Sequence, residues 1–111
     1  MQPRFQPDVF DKNLALVRDI EKVAKTKGCT PGQVATAWVL AQNGKPNVPV
    51  IVPIPGATTE ERVRENTVDV KLSKEEMAEV DAIVKDAVII GGRYVGHGAA
   101  LEYGNSAPLE Q

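Results

Sequence analysis

Apolar positions recur three to four residues apart from Phe10 through Leu14, Val17, Ile20, Val23 and Ala24. That spacing puts them on one stripe of a helix, which we place at 11–27. Lys22, Lys25 and Lys27 crowd its last turns, where cations suit the helix dipole, and Gly28 offers the left-handed stop. Residues 1–8 carry Pro3 and Pro7 without an apolar period and read as an extended lead-in. A second helix start follows, with Thr30 as cap, Pro31 at the first helical position and Gln33 completing a capping box. From Val34 to Ala41 only Thr36 is polar, so this helix should be buried on most faces, with Trp38 as a core anchor. Asn43-Gly44-Lys45-Pro46-Asn47 ends it in a turn.

Val48 to Ile54 is a short apolar run between turn signals, the pattern of a strand buried on both faces. Pro49 and Pro53 cannot donate to a ladder, which leaves a hydrogen-bonded stretch of only a few residues. The loop Pro55-Gly56-Ala57-Thr58-Thr59 leads into a capping box of Thr58 and Glu61 and a helix from Glu60 to Thr67. Val68, Val70 and Leu72 alternate with polar residues in an extended link. Ser73 and Glu76 form a third box, Leu72 can staple against Met77, and Met77, Val80, Val84 and Ala87 continue a helix. Gly91-Gly92 ends the regular structure, and 95–111 form an irregular tail. The order is helix, helix, strand, helix, helix. A lone strand buried on both faces needs backbone partners. Another chain supplies them, or the segment belongs to a larger α/β protein, or the chain packs differently.

Composition narrows the class without naming a chemistry. A chain of 111 residues, 42% hydrophobic and 25% charged, supports one soluble domain with a modest core. A formal charge of -2 gives no reason to expect nucleic acid or an anionic membrane as partner. The single Cys29 allows no internal disulfide or thiolate cluster and fits a reducing cytoplasm. No apolar run approaches the roughly 20 residues that span a bilayer. Beside a helix start, Cys29 has a route to a lowered thiol pKa, although a plain buried or loop cysteine is the commoner case.

The ordered pieces Thr30-Pro31-Gly32-Gln33-Val34-Ala35, Ala37-Trp38-Val39-Leu40-Ala41-Gln42, Val52-Pro53-Ile54-Pro55-Gly56 and Arg62-Val63-Arg64-Glu65-Asn66 together resemble aldo-keto reductases. The likeness extends to Leu72-Ser73-Lys74-Glu75-Glu76, and Gly91-Gly92-Arg93-Tyr94 resembles the ending of pyridoxal-reductase-like members. It covers about residues 3–94. The resemblance implies a (β/α)8 TIM barrel, a fold of about 250 residues, of which this chain would be the C-terminal part. It therefore implies an α/β fragment, mostly helical when isolated, with 48–54 as its one short buried strand.

The family reduces aldehydes and ketones with NADPH, using a Tyr with supporting Lys, Asp and His from earlier strands. None of those motifs has a counterpart here, so the resemblance implies a chain that is inactive alone. His97, Tyr94 and Tyr103 lie in the tail and do not match them. The cofactor's adenosine end is matched instead. The resemblance implies that Pro55, Gly56, Ala57, Thr58 and Thr59 form the loop around the 2′-phosphate. Gly56 would let backbone approach the ligand. Arg62 would contact the phosphate and adenine, and Glu65 and Asn66 the adenine amino edge. Gly56-Ala57 stands where many relatives have Lys-Ser, which removes one cation from the phosphate site, though a Pro-Gly version occurs in other branches; the resemblance implies NADP(H) over NAD(H), less firmly than a Lys-Ser pair would. Taken without the resemblance, Glu60, Glu61, Arg62, Arg64 and Glu65 read as a solvated helix face. The implied partners are the N-terminal barrel portion and a small carbonyl substrate. The competing reading is a non-catalytic helical module that self-associates to cover its apolar strand.

Overall fold

The computed structural model describes residues 2–95. It contains a 3-10 turn at Pro3–Phe5 and four helices: α1 (Pro7–Lys27), α2 (Pro31–Leu40), α3 (Glu60–Thr67) and α4 (Lys74–Asp86). The described residues divide into two compact units, one of residues 2–15 with 88–95, the other of residues 16–87.

In the first unit the side chain of Asn13 is the organising group. Its amide N–H2 donates to the carbonyls of Arg4 and Ile90, each at 2.8 Å, and its oxygen accepts from the Ile90 N–H at 2.8 Å. One amide thereby satisfies backbone groups that no helix or ladder serves. Phe5 and Phe10 add a tilted ring pair with centroids 6.5 Å apart. The lead-in at 1–8 is thus turned rather than extended, and α1 starts before residue 11. Pro7 at its head needs no hydrogen-bond acceptor for its nitrogen.

The second unit is built around Val23 and Ala24 of α1, Val34 of α2 and Val80 of α4. Ile20, Cys29, Trp38, Leu72 and Ile83 pack around them, half-buried. Gly28 takes φ +78° just beyond α1, the left-handed stop that its position predicts. Both the Thr30 and Ser73 capping boxes form in full. Trp38 joins the core edge, and its indole Nε1 donates to Asp81 Oδ1 at 2.7 Å, tying α2 to α4. Lys27 Nζ and Glu76 Oε2, 2.7 Å apart, tie α1 to α4.

Several expectations are corrected. No strand forms among the described residues: 48–54 is irregular, and Val50, Val52 and Ile54 are 88%, 77% and 91% exposed. The physical reason is the missing neighbour, since a ladder cannot form against nothing and Pro49 and Pro53 bring no N–H. A single residue of this run has a strand-like pairing: Asn43 Oδ1 accepts from Ile51 N–H at 2.7 Å, and its Nδ2 donates to Ile51 C=O at 3.1 Å. The helix α2 is not buried on most faces either. Val34 and Ala37 are enclosed, whereas Ala35, Leu40 and Ala41 meet solvent. The cap of α3 is Thr59, not Thr58, so the proposed box with Glu61 does not form; Thr59 Oγ1 accepts from Arg62 N–H at 3.2 Å. The last helix ends at Asp86, well before Gly91-Gly92. His97, Tyr103 and the tail from 96 onward lie outside the described residues.

Candidate functional site

The helix α3 begins immediately after the loop 55–59, and Thr59 in extended conformation turns the chain into it. The main-chain N–H groups of the first turn point out of the helix start, where the dipole favours an anion. Glu60 and Glu61 occupy that turn and supply part of the favourable negative charge themselves. Glu60 is also held by Arg64, whose Nη2 lies 2.5 Å from Glu60 Oε1. Arg62, exposed and one turn in, points into an open cleft of about 620 Å³ lined by Pro31, Gly32, Thr59, Glu61, Arg62 and Glu65. The cleft joins the start of α2 to the outer face of α3.

The predicted site residues are brought together only in part. Thr59, Arg62 and Glu65 share the cleft. Pro55, Gly56, Ala57 and Thr58 are exposed in the approach loop and do not line it. Asn66 ties that loop to α3, its Nδ2 donating to the Gly56 carbonyl at 3.3 Å. It lines a separate small cavity of about 140 Å³ with Gln33, Thr36 and Ala37. Gly56 has no positive φ, and a side chain there would meet open space. Nothing in this fold therefore demands glycine at Gly56; any requirement would come from a ligand.

Glu65 is the most constrained group. Thr30 Oγ1 donates to its Oε1 at 2.6 Å, and Gln33 Nε2 donates to its main-chain carbonyl at 3.1 Å. Thr30 and Gln33 are also the two members of the α2 capping box, with Thr30 N–H donating to Gln33 Oε1 at 3.0 Å. The box that starts α2 thus also grips α3. Sequence reasoning finds Thr30 and Gln33 as cap residues and misses this second task, because their partner lies more than thirty positions away in the chain. Pro31, Gly32 and Glu61 also line the cleft, a placement that local patterns do not reveal.

Electrostatically the cleft carries the Arg62 guanidinium and the carboxylates of Glu61 and Glu65. A phosphate has one favourable place in it, beside Arg62 and the start of α3. The carboxylate side suits N–H donors. Cys29 sits half-buried behind this face, and burial pushes its thiol up from the ordinary value, with Lys27 opposing and Glu76 reinforcing. The lowered thiol that a helix-start cysteine allows is not what this site produces. Tyr94 is largely exposed, with the Arg93 guanidinium 5.5 Å from its ring centre. Among the described residues no group of three or more His, Cys, Asp or Glu is arranged to hold a metal.

The sequence model of the Aldo/keto reductase family matches residues 1–85. The "Aldo-keto reductase yakc [NADP(+)]" of Schizosaccharomyces pombe is 42% identical over 94 residues, covering 83% of this chain and 26% of that protein. The "Probable aldo-keto reductase 1" of Glycine max is 36% identical over 113 residues, covering 97% of this chain and 31% of that protein. The chain therefore spans between a quarter and a third of the length of these curated relatives. No solved structure matches it.

Proposed function

Because the chain belongs to the aldo/keto reductase family, we propose that it contributes the adenosine-end binding site of an NADP-dependent carbonyl reductase. The observation that carries this reading is the cleft that sets Arg62, Thr59 and Glu65 beside the start of α3. Arg62 pairs with the 2′-phosphate, for which its planar guanidinium is suited. The N–H groups of Glu60 and Glu61 add donors to the same anion. Glu65 accepts from the adenine amino group. Asn66 acts at one remove, by holding the Gly56 carbonyl and with it the 55–59 loop. The residues present therefore fit the adenosine 2′-phosphate half of the cofactor. Bound whole, the cofactor supplies a hydride for a carbonyl carbon.

The reacting end is served by parts of the enzyme that this chain does not match, and the chain alone is inactive in this reading. It works in a reducing cytoplasm, with the rest of a (β/α)8 barrel as partner and a small carbonyl compound as substrate. Held at one end only, the cofactor binds the isolated chain with millimolar affinity. Titration with 2′,5′-ADP followed by amide resonances tests this: Thr59 to Arg62 should shift in the wild type and stay still in Arg62→Ala. Unmoved resonances at millimolar ligand would overturn the site, and micromolar affinity would contradict its being half of one.

The exposure of Val50, Val52 and Ile54 favours a second reading, a self-associating helical module. Sedimentation separates them. A concentration-dependent dimer abolished by Val52→Lys supports self-association, and a monomer at all concentrations rejects it.

A further inference from the structure

Resting on the adenosine-end reading, we infer that Thr30, Gly32 and Gln33 are positioning residues that set Glu65 to discriminate the base.

Thr30 Oγ1 fixes Oε1 of Glu65 at 2.6 Å, and Gln33 Nε2 fixes its backbone carbonyl at 3.1 Å. With its carboxylate held by Thr30 and its backbone by Gln33, the side chain loses rotamer freedom that a glutamate on an open helix face keeps. A carboxylate has about four acceptor sites, so one bond from Thr30 leaves Oε2 available to a ligand. Gly32 makes this approach possible. A Cβ at Gly32 would stand 3.3 Å from Glu65 Oε1, so a side chain there makes the carboxylate give way by a few tenths of an ångström, while Thr30 Oγ1 at 3.8 Å stays in ordinary contact.

The chemistry follows from an acceptor held in one place. It welcomes the exocyclic amine of adenine and repels the carbonyl that hypoxanthine carries at the same position. Arg62 faces the same cleft but recognises the phosphate, which the ribose of both nucleotides carries. Phosphate affinity and base choice are thereby assigned to different residues. The base-reading half depends on α2 as well as α3.

The test compares adenosine 2′-phosphate with inosine 2′-phosphate on the 111-residue chain, by amide resonance titration. The wild type should favour the adenosine ligand by about tenfold, the worth of one hydrogen bond to a charged acceptor. Thr30→Val and Gly32→Ala should each reduce that ratio to about twofold, with affinity for the inosine ligand unchanged. Thr30→Ser should keep it. Gly32→Ala is the decisive variant, because alanine strengthens a helix. It should raise or preserve the melting temperature while lowering base selectivity, which a merely structural role would not do. A tenfold ratio retained in both Thr30→Val and Gly32→Ala overturns the inference and leaves the phosphate site standing. Equal wild-type affinity for the two ligands overturns it as well. Failure of the wild type to bind either ligand overturns the adenosine-end reading, and this inference with it.

Discussion

Val34 is fully enclosed between α1, α2 and α4, while Val52 is 77% exposed in the run that reads as a strand. The same change at both, valine to alanine, separates burial from residue type. At Val34 it deletes two methyl groups, worth about 0.8 kcal/mol each in transfer, so about 1.6 kcal/mol. The cavity left where the surroundings collapse incompletely adds about 1 kcal/mol, for a total near 2.5 kcal/mol. Against a stability on the order of 5–10 kcal/mol for a chain of this size, that is a large fraction. It corresponds to a fall of about 10–20 °C in melting temperature. At Val52 the cost should stay within about 0.5 kcal/mol, as at other exposed positions. Urea titrations followed by far-ultraviolet circular dichroism, with an unchanged slope, read both values. A loss below about 0.5 kcal/mol at Val34 would refute the assigned core. Equal losses at the two sites would show that 48–54 is buried after all.

Acid should act through Glu76. Lys27 Nζ and the Ser73 N–H, each 2.7 Å away, hold its carboxyl below the ordinary range, Lys27 foremost. A group whose folded pKa is lowered stabilises the fold above its unfolded value, about 4.3 for Glu, and loses that contribution as pH falls through the folded value. Melting temperature should therefore decline more gently below pH 4.5 or so in Glu76→Gln than in the wild type. Some slope remains from Glu75, which its own backbone N–H and the Ser73 side chain also hold low. Identical acid limbs in both proteins would refute the role. Asn43→Leu should release the Ile51 N–H and speed its hydrogen exchange towards the unprotected rate, since Asn43 Oδ1 is its acceptor. An unchanged rate would mean that another group protects it.

What could be read from the sequence was what is local. Thr30-Pro31-Gly32-Gln33 and Ser73 to Glu76 carry their cap partners within three residues, and both boxes form. Gly28 and the helix it ends were legible for the same reason. At the start of α3 two threonines compete, and the choice of Thr59 over Thr58 turns on a backbone angle that composition does not encode. The 48–54 run misled because its pattern describes a neighbourhood that this chain does not contain: an apolar run states what would bury it, not whether that partner is present. The surplus apolar residues of α2 misled in the same way, since Leu40 and Ala35 stay exposed. For the candidate site, Arg62 and Glu65 were singled out through family resemblance. The hold of Thr30 on Glu65 could not be, since it depends on how α2 meets α3. Gly32 carries no local signal either, and its reason appears only when a Cβ is placed against the Glu65 carboxylate.

The central claim is that the start of α3, with Arg62, recognises an adenosine 2′-phosphate. The most direct test is the affinity ratio between 2′,5′-ADP and 5′-AMP, which differ only in the 2′-phosphate. The wild type should prefer 2′,5′-ADP by about tenfold or more, the preference should shrink with added salt, and Arg62→Ala should bring it near unity. Equal binding of the two nucleotides by the wild type, or a preference that survives Arg62→Ala, would contradict the account.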